Sequence, residues 1–503
     1  MKILAIDPGI QWIEGKIVQR VYPRIGFAYI ATALSKVYTV NVVDVSAYQT
    51  GASELAEVLT QVNPDMVCIT AVAFHHDEAL ETGRLVKKIS PNTTVVFGGA
   101  HPTVLYEEFL TAGDVVVLGE GEKTVMEVAE KVKEQSKDWD DIDGIAFRNE
   151  DEVVVRERKE LISNLDDLPF PDWSLFDYSK YLCIPSDKYG REIRFYSISG
   201  MRGCPYTCSF CSSIHGKRVR CRSAESVVDE IEYNLRKFGA HHFDFADSNA
   251  TVDKERFIEF CELMEERKLD VLWNIETRVD LVDEEIVEAA KKAGCQVFCY
   301  GIESGDEFIL QKIGKTYSVD QIEEAVRVAT EAELIVKSSF IIGHPYETAE
   351  TAEKTFSLAK YLRMKYGMDL YFGLIDVYPK QKVHEMAENQ EGCTWVEGMR
   401  NNWGAIQRNT ATLETEGLDK DQLENLYYKF TENIKKIPAK DYYKGRTKSG
   451  SKVEPRSRPR TEKRITKSRL KPRAKPKSRI CSKVKSRSKS RKGLKLRSRT
   501  KTR

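Results

Sequence analysis

Five short apolar runs open the chain, and each ends in glycine, aspartate or a small residue. They are "KILAID", "YTVNVVDV", "MVCITAVA", "TTVVFGG" and "DVVVLGEG", all between residues 2 and 121. Segments of helical periodicity separate them, among them "IGFAYIATALSK" and "HDEALETGRLVKKI". This alternation predicts an α/β domain over residues 1–140, a doubly wound parallel sheet with helices on both faces. Ligands of such sheets bind beyond the carboxyl ends of the strands. Those ends are Asp7-Pro8-Gly9, Asp44, Thr70, Gly98-Gly99 and Gly119-Glu120-Gly121-Glu122. Glycine lets a backbone come close to a bulky ligand; by spacing alone, the same glycines fit tight strand-to-helix turns equally well.

Residues 141–190 break the rhythm. "DGIAFRNEDEVVVRER" predicts a hairpin and "LDDLPFPDW" a proline-rich connector. A second alternation starts near Ile193, with strands "RFYSIS", "HHFDFADS", "VLWNIETR", "QVFCYGIES", "IVKSSFIIG" and "DLYFGLIDVYP". Helical segments such as "AESVVDEIEYNLRKFG" and "DEEIVEAAKKAG" lie between them. Six strand–helix units predict a partial (β/α)6 barrel over residues 191–410, with chemistry at the carboxyl ends of its strands. Short helices over 411–440 close the body.

Charge divides the chain where hydropathy does not. From Asp441 onward, 27 Lys/Arg stand against 3 Asp/Glu, whereas residues 1–440 carry 51 against 74. The body is an acidic globular protein. The tail over 441–503 is rich in Lys, Arg and Ser and too poor in apolar residues to offset its ordering entropy, so disorder is expected there. Such a tail suits a nucleic acid, tracking phosphates by charge without aromatic stacking platforms; a solvated appendage, or a tail foreign to the native gene product, fits as well. Eleven unpaired-looking cysteines, the lack of a secretory signal and the lack of any apolar run near the ~20 residues of a membrane span predict a soluble cytoplasmic protein.

The candidate chemistry sits in "SGMRGCPYTCSFCSS", where Cys204, Cys208 and Cys211 are spaced C-x3-C-x2-C. Structural zinc takes four ligands, usually as two C-x2-C pairs. Three thiolates in one loop leave a coordination position open, as in an iron–sulfur cubane with one iron free of protein. Cys221 is a fourth thiol, available to zinc or an unrelated helix-start residue. The loop follows the first barrel strand and so caps the catalytic end.

This loop, with an aromatic residue before its last cysteine, resembles that of the radical S-adenosylmethionine (SAM) enzymes, and the resemblance spans most of residues 1–435. "TRVDLVDEEIVEAAKKAGC", "YGIESGDEFILQKIGK" and "FIIGHPYETAETAEKT" are similar to the cobalamin-associated branch of that superfamily. "RIGFAYIATALSK", "FGGAHPTVLYEEFL" and "VVVLGEGEKTVMEVAE" look like its N-terminal, Rossmann-like cobalamin-binding domain. The resemblance implies that Cys204, Cys208 and Cys211 ligate a 4Fe–4S cluster whose fourth iron takes the amino and carboxylate groups of SAM. An electron from a donor such as flavodoxin or ferredoxin then cleaves SAM to a 5′-deoxyadenosyl radical. Phe210 packs near the adenine or simply within its loop. Asp247, Ser248, Thr277, Arg278, Glu303, Ser304 and Gly343 line the SAM site, where Glu303 suits an ammonium or ribose hydroxyls and Arg278 a carboxylate; any charged member suits a structural ion pair too. Gly98, Gly99, Gly119, Glu120 and Gly121 line the cobalamin site. The implied reaction is methyl transfer to an unactivated carbon of a small-molecule or lipid-like substrate. The alternative is ring closure or carbon–carbon bond formation, with cobalamin a spectator or absent.

Two departures from the family pattern stand out. No Asp-x-His-x-x-Gly is present, and His75 and His76 lie in the wrong context, so cobalamin binds without a His ligand or the domain is now a scaffold. "VYPKQKVHEMAE" carries Lys380 and Gln381 where relatives have Gly-Thr after a proline, which puts that turn in doubt. Cysteine arithmetic favours a single cluster: only Cys68 and Cys183 precede Cys204, and Cys295 and Cys299 fall on a strand expected to be core.

Overall fold

Apolar runs of five or six residues between amphipathic helices are too short to be buried helices, and they pair as strands. The computed structural model describes residues 1–9, 12–13, 16–17, 20–184, 191–212, 214–405 and 409–438. The basic tail expected to be disordered lies outside them. The described residues belong to one compact unit.

The N-terminal sheet runs in the order Thr39–Asp44, Lys2–Asp7, Met66–Thr70, Thr94–Gly98 and Val115–Val117, all parallel. Period-two alternation divides its side chains between two cores. Leu4, Val67 and Phe97 enter one, and Ile3, Met66 and Val96 enter the other, under helices on the opposite face. The hairpin Ile145–Asn149 and Glu152–Arg156 is the antiparallel edge of this same sheet, beside Val115–Val117. The sheet therefore continues past residue 140, because the apolar Ile145 and Phe147 complete its second core.

The second sheet has six parallel strands in sequence order: Phe195–Ile198, His242–Phe245, Leu272–Thr277, Cys295–Glu303, Ile335–Ile342 and Asp369–Leu374. Phe298, Tyr300 and Ile302 are fully buried toward the surrounding helices, while the alternate residues Cys299 and Gly301 face the concave side and are partly accessible. This is the expected partial barrel, with two differences. Cys299, expected in the core, lies on the concave face. A single helix, Lys420–Lys435, replaces the several short ones expected at the end. It packs Phe430 against Phe356, with ring centroids 4.6 Å apart.

The proline-rich connector welds the two sheets together. Trp173 is 1% exposed and meets Tyr196 of the first barrel strand at 6.1 Å, while Phe176 meets Phe27 of helix Ile25–Ser35 at 5.9 Å. One apolar core therefore runs from the N-terminal domain through the connector into the barrel.

The fourth barrel strand meets helix Ala349–Tyr366 through a close approach at Gly305. A Cβ there would lie 2.8 Å from the Thr355 Cα and 2.9 Å from the Leu358 Cβ. Gly305→Ala is expected to destabilise the chain by about 1–3 kcal/mol, as overpacking does. A denaturant midpoint unchanged from wild type would contradict this packing.

Candidate functional site

The carboxyl ends of both sheets face one cavity of about 270 Å³. The N-terminal domain lines it with Gly98, Gly99, Gly119, Glu120 and Gly121, and the barrel domain with Met201, Arg202 and Ser248 among others. Gly98 opens straight onto this space: a Cβ would meet nothing nearer than the Val117 Cβ at 3.9 Å. Gly99 has a different reason to be glycine. Its φ is +100°, and a Cβ would lie 2.8 Å from the Ala71 carbonyl oxygen. Thr70 also lines the cavity, and the ends at Asp7 and Asp44 are closed by charge pairing. Arg20 bridges Asp7 and Asp44, Arg24 adds to Asp7 at 3.0 Å, and the Tyr181 hydroxyl donates to Asp44 at 3.0 Å. His75 and His76 are buried in other contacts, His75 beside Arg24 and His76 hydrogen-bonded to His101 at 3.1 Å.

Glu120 and Glu122 do more than line the cavity. Arg220 donates to both Glu120 carboxylate oxygens at 2.5 and 3.0 Å, His215 Nδ1 lies 3.3 Å away, and Arg202 pairs with Glu122 at 2.5 Å. All four acidic and arginine side chains are less than a tenth exposed. Burial alone would raise the Glu120 carboxyl pKa, but the His215 and Arg220 hydrogen bonds and the Arg202 charge hold it well below the usual carboxylate range. Glu120 is therefore ionised and spoken for by the barrel domain.

Arg202 stands two residues before Cys204, so this ion network leads into the cysteine loop. The Cys211 thiol lies at the loop's open mouth. Burial by the protein around it raises its pKa, and the neighbouring Cys208 and Cys204 add to the rise. The three thiols share one small loop without converging on a point: among the described residues no three His, Cys, Asp or Glu side chains are grouped to hold one metal ion. Three braces fix the loop. Ser209 N–H donates to the Ile313 carbonyl at 3.0 Å, and a Cβ on the next residue, Gly314, would lie 2.9 Å from the Thr207 carbonyl. The Arg278 guanidinium sits 3.7 Å over the Tyr206 ring. The Gln381 amide donates to the Phe210 carbonyl, and Val383 N–H donates to the Ser209 carbonyl at 2.9 Å. The turn put in doubt by Lys380 and Gln381 is therefore formed: Lys380 adopts φ +62° in place of glycine, and Gln381 ties the turn to the loop.

The strand-end residues divide into two groups. Ser248 lines the cavity. At the cysteine loop, Lys315 links Glu303 to the loop's own Phe210, and Gly343 precedes His344, which meets the same ring. Lys315 reaches Glu303 at 3.5 Å and lies 5.9 Å from the Phe210 ring, and His344 meets that ring at 5.4 Å, tilted by 53°. Glu303 has φ +68° beside a register shift, a strained conformation of the kind that gathers at functional sites. The other group spends its polar atoms on the protein. Asp247 accepts the N–H groups of Gly200 and Met201 at 2.7 and 3.0 Å, and burial raises its carboxyl pKa to about 6. The Thr277 hydroxyl donates to Asn249 at 2.9 Å, Arg278 forks onto Asp280 at 2.8 Å twice, and Ser304 bonds the Thr355 hydroxyl at 3.1 Å.

Residue types at strand ends did not single out Arg202, Arg220, Lys315, His344 or Glu347. Arg202 and Arg220 face each other across a two-residue antiparallel ladder, Lys315 follows helix Glu307–Lys312, and His344 and Glu347 follow strand Ile335–Ile342; all five are buried although charged or polar. His344 is fully buried, with no hydrogen-bond partner for either ring nitrogen among the described residues, and burial and the Lys315 charge lower its pKa to about 3.

Glu347 is also fully buried and takes the Gly343 N–H at 2.5 Å; burial raises its carboxyl pKa to about 8. A carboxyl protonated in the native state but ionised when unfolded costs stability as pH rises from its ordinary 4.5 toward about 8. Glu347→Gln cannot titrate, so its stability relative to wild type is expected to rise over that range in denaturant melts. A pH-independent difference would contradict the raised pKa.

Comparison with known proteins agrees with this layout. The Radical SAM superfamily matches residues 198–359 and the B12 binding domain matches residues 16–129. An uncharacterized methyltransferase of Pyrococcus horikoshii is 32% identical over 393 residues, covering 77% of this chain and 83% of that protein. The anaerobic magnesium-protoporphyrin IX monomethyl ester cyclase of Rubrivivax gelatinosus is also 32% identical, over 72% of this chain and 66% of its own length. Among solved structures, the radical SAM methyltransferase TsrM of Kitasatospora setae, with cobalamin and a [4Fe–4S] cluster bound, superposes with a TM-score of 0.62 at 22% identity. The match covers 78% of this chain and 75% of that one, and shows a common fold. No helix among the described residues is long and apolar enough to cross a membrane. With both domains in order and a long relative matched over most of its length, the chain belongs to the radical SAM superfamily, in the branch that carries a B12-binding domain ahead of the barrel.

Proposed function

We propose that the chain is a cytoplasmic, cobalamin-dependent radical SAM enzyme that transfers a methyl group to an unactivated carbon of a small-molecule or lipid-like substrate. The observation that carries this reading is the single cavity shared by the two domains, with glycine-lined strand ends on one wall and the flank of a three-thiol loop on the other. The residues fit the groups this reading needs. Three thiols of one loop, close enough for Cys208 and Cys204 to raise the Cys211 pKa, suit a cubane, and the open space at Gly98 suits a bulky ligand. When bound, a 4Fe–4S cluster supplies the electron that cleaves SAM, and cobalamin supplies a methyl carrier. A small protein reductant such as flavodoxin or ferredoxin would deliver that electron. The described cysteines are all free, as in a reducing compartment.

The chain's own residues have separable roles in this reading. Cys204, Cys208 and Cys211 would hold the cluster. Lys315 offsets the negative charge of thiolates beside it, and the Tyr206–Arg278 contact and the Gln381 bond hold the loop in one shape. Apolar side chains such as Ile25, Ile30 and Met201 keep water from the cavity, which protects a reactive radical. The resemblance to a cyclase at 32% identity supports a second reading, ring closure on the same scaffold.

Cysteine replacement tests the proposal. Cys204→Ala, Cys208→Ala and Cys211→Ala are each expected to abolish iron–sulfur absorbance and SAM cleavage together, and Cys221→Ala to spare both. Gly98→Phe is expected to lose hydroxocobalamin retention while keeping iron. A triad variant that holds full iron and cleaves SAM would overturn the assignment.

A further inference from the structure

The concave face of the barrel carries charges that the mechanism above does not use. Strand pairing sets Glu276 beside Cys299, Cys299 beside Lys337, and the next row holds Gly301, Ser339 and Tyr371. Paired residues of parallel strands point to the same side, and the rows between them (Ile275, Phe298 and Val336, each at most 1% exposed) point into the helical shell. Glu276 and Lys337 are solvent-accessible, and neither makes a hydrogen bond or ion pair with a described residue. Two strand spacings, roughly 10 Å at the backbone, keep them from pairing with each other. The protein around Glu276 raises its carboxyl pKa, and the nearby Asp244 and Glu303 carboxylates add to this. Tyr22 of the N-terminal domain reaches in to donate to Asp244 at 2.5 Å, and Tyr371 lines the same face at 60% exposure.

An unpaired carboxylate and an unpaired ammonium, held on a rigid sheet with an aromatic ring on the same face, form a two-point receptor. We propose that the barrel lumen recognises a substrate bearing an α-amino-acid-like head group, with Glu276 taking its ammonium, Lys337 its carboxylate, and Tyr371 contacting an apolar side chain. Two further carboxylates of this face have partners: Asp244 accepts from Tyr22, and Asp369, beside Lys337 in register, pairs with Arg363 at 3.5 Å, which leaves Glu276 and Lys337 as the free charges of the row among the described residues. The inference rests on the barrel serving as the substrate site, but its test needs no turnover.

Three probes that share one ring separate the two ends: L-phenylalanine, phenethylamine without the carboxylate, and 3-phenylpropionate without the ammonium. Saturation-transfer NMR on the iron-loaded full chain is expected to show phenylalanine binding about tenfold more tightly than either truncated probe, the size of one charge-assisted contact. Glu276→Gln is expected to bring phenylalanine to the level of 3-phenylpropionate, and Lys337→Met to the level of phenethylamine. Both changes are near-isosteric on an accessible face, and retained iron absorbance reports that the fold survives. Equal binding of the three probes, no binding of any, or a preference untouched by both variants would overturn the proposal. Protein that binds phenylalanine in this pattern yet leaves SAM intact would overturn the functional reading and leave this one standing.

Discussion

Glu120 and Glu122 sit at the end of the shortest strand of the N-terminal sheet, and their carboxylates are answered by arginines of the other domain. A charge this deeply buried is tolerable only when its partners are in place, and losing one partner of such a pair costs about 3–5 kcal/mol. The network thus fixes the angle at which the glycine-lined strand ends face the barrel. Because Arg202 lies two residues before Cys204, the same contacts set the cysteine loop. Cavity, loop and domain orientation are consequences of one ion cluster, backed by the apolar weld at Trp173 and Phe176.

Both sheets were legible from the alternation of strand and helix segments: the N-terminal strands, buried on two faces, read as apolar runs, and the barrel strands, buried fully on one face, read as alternating ones. The hairpin at 145–156 was legible as a hairpin but not as a sheet edge, since strand pairing is a tertiary choice that local pattern does not encode. The three thiols stood out by spacing alone. Glu120 was legible as a strand-end residue, but its role was not: a carboxylate that lines a cavity and one that locks two domains look alike until the arginines arrive from 80 and 100 residues away. The same holds for Asp247, Arg278 and Ser304, whose positions suggested ligand contact and whose hydrogen bonds go to protein.

Residues that brace the loop were the least visible. Gln381 looked like the loss of a family turn, yet its side chain does the work of the turn by reaching the Phe210 carbonyl, while Lys380 accepts a backbone conformation that costs a non-glycine residue about 1–2 kcal/mol. That cost is tolerated beside the cysteine loop, where the position of a thiol matters more than the comfort of a turn. Lys315 and His344 belong to the same pattern, buried polar groups around an aromatic ring between two cysteines.

A methyl-transferring enzyme uses SAM in two ways, as methyl source and as radical source, and a cyclase uses it in one. The most direct measurement is therefore the pair of products formed from SAM by the anaerobic, reduced, iron- and cobalamin-loaded chain. Methyl transfer requires that S-adenosylhomocysteine and 5′-deoxyadenosine both accumulate, and that omission of cobalamin removes the first and leaves the second. Sustained 5′-deoxyadenosine formation with no S-adenosylhomocysteine, cobalamin present, would contradict it.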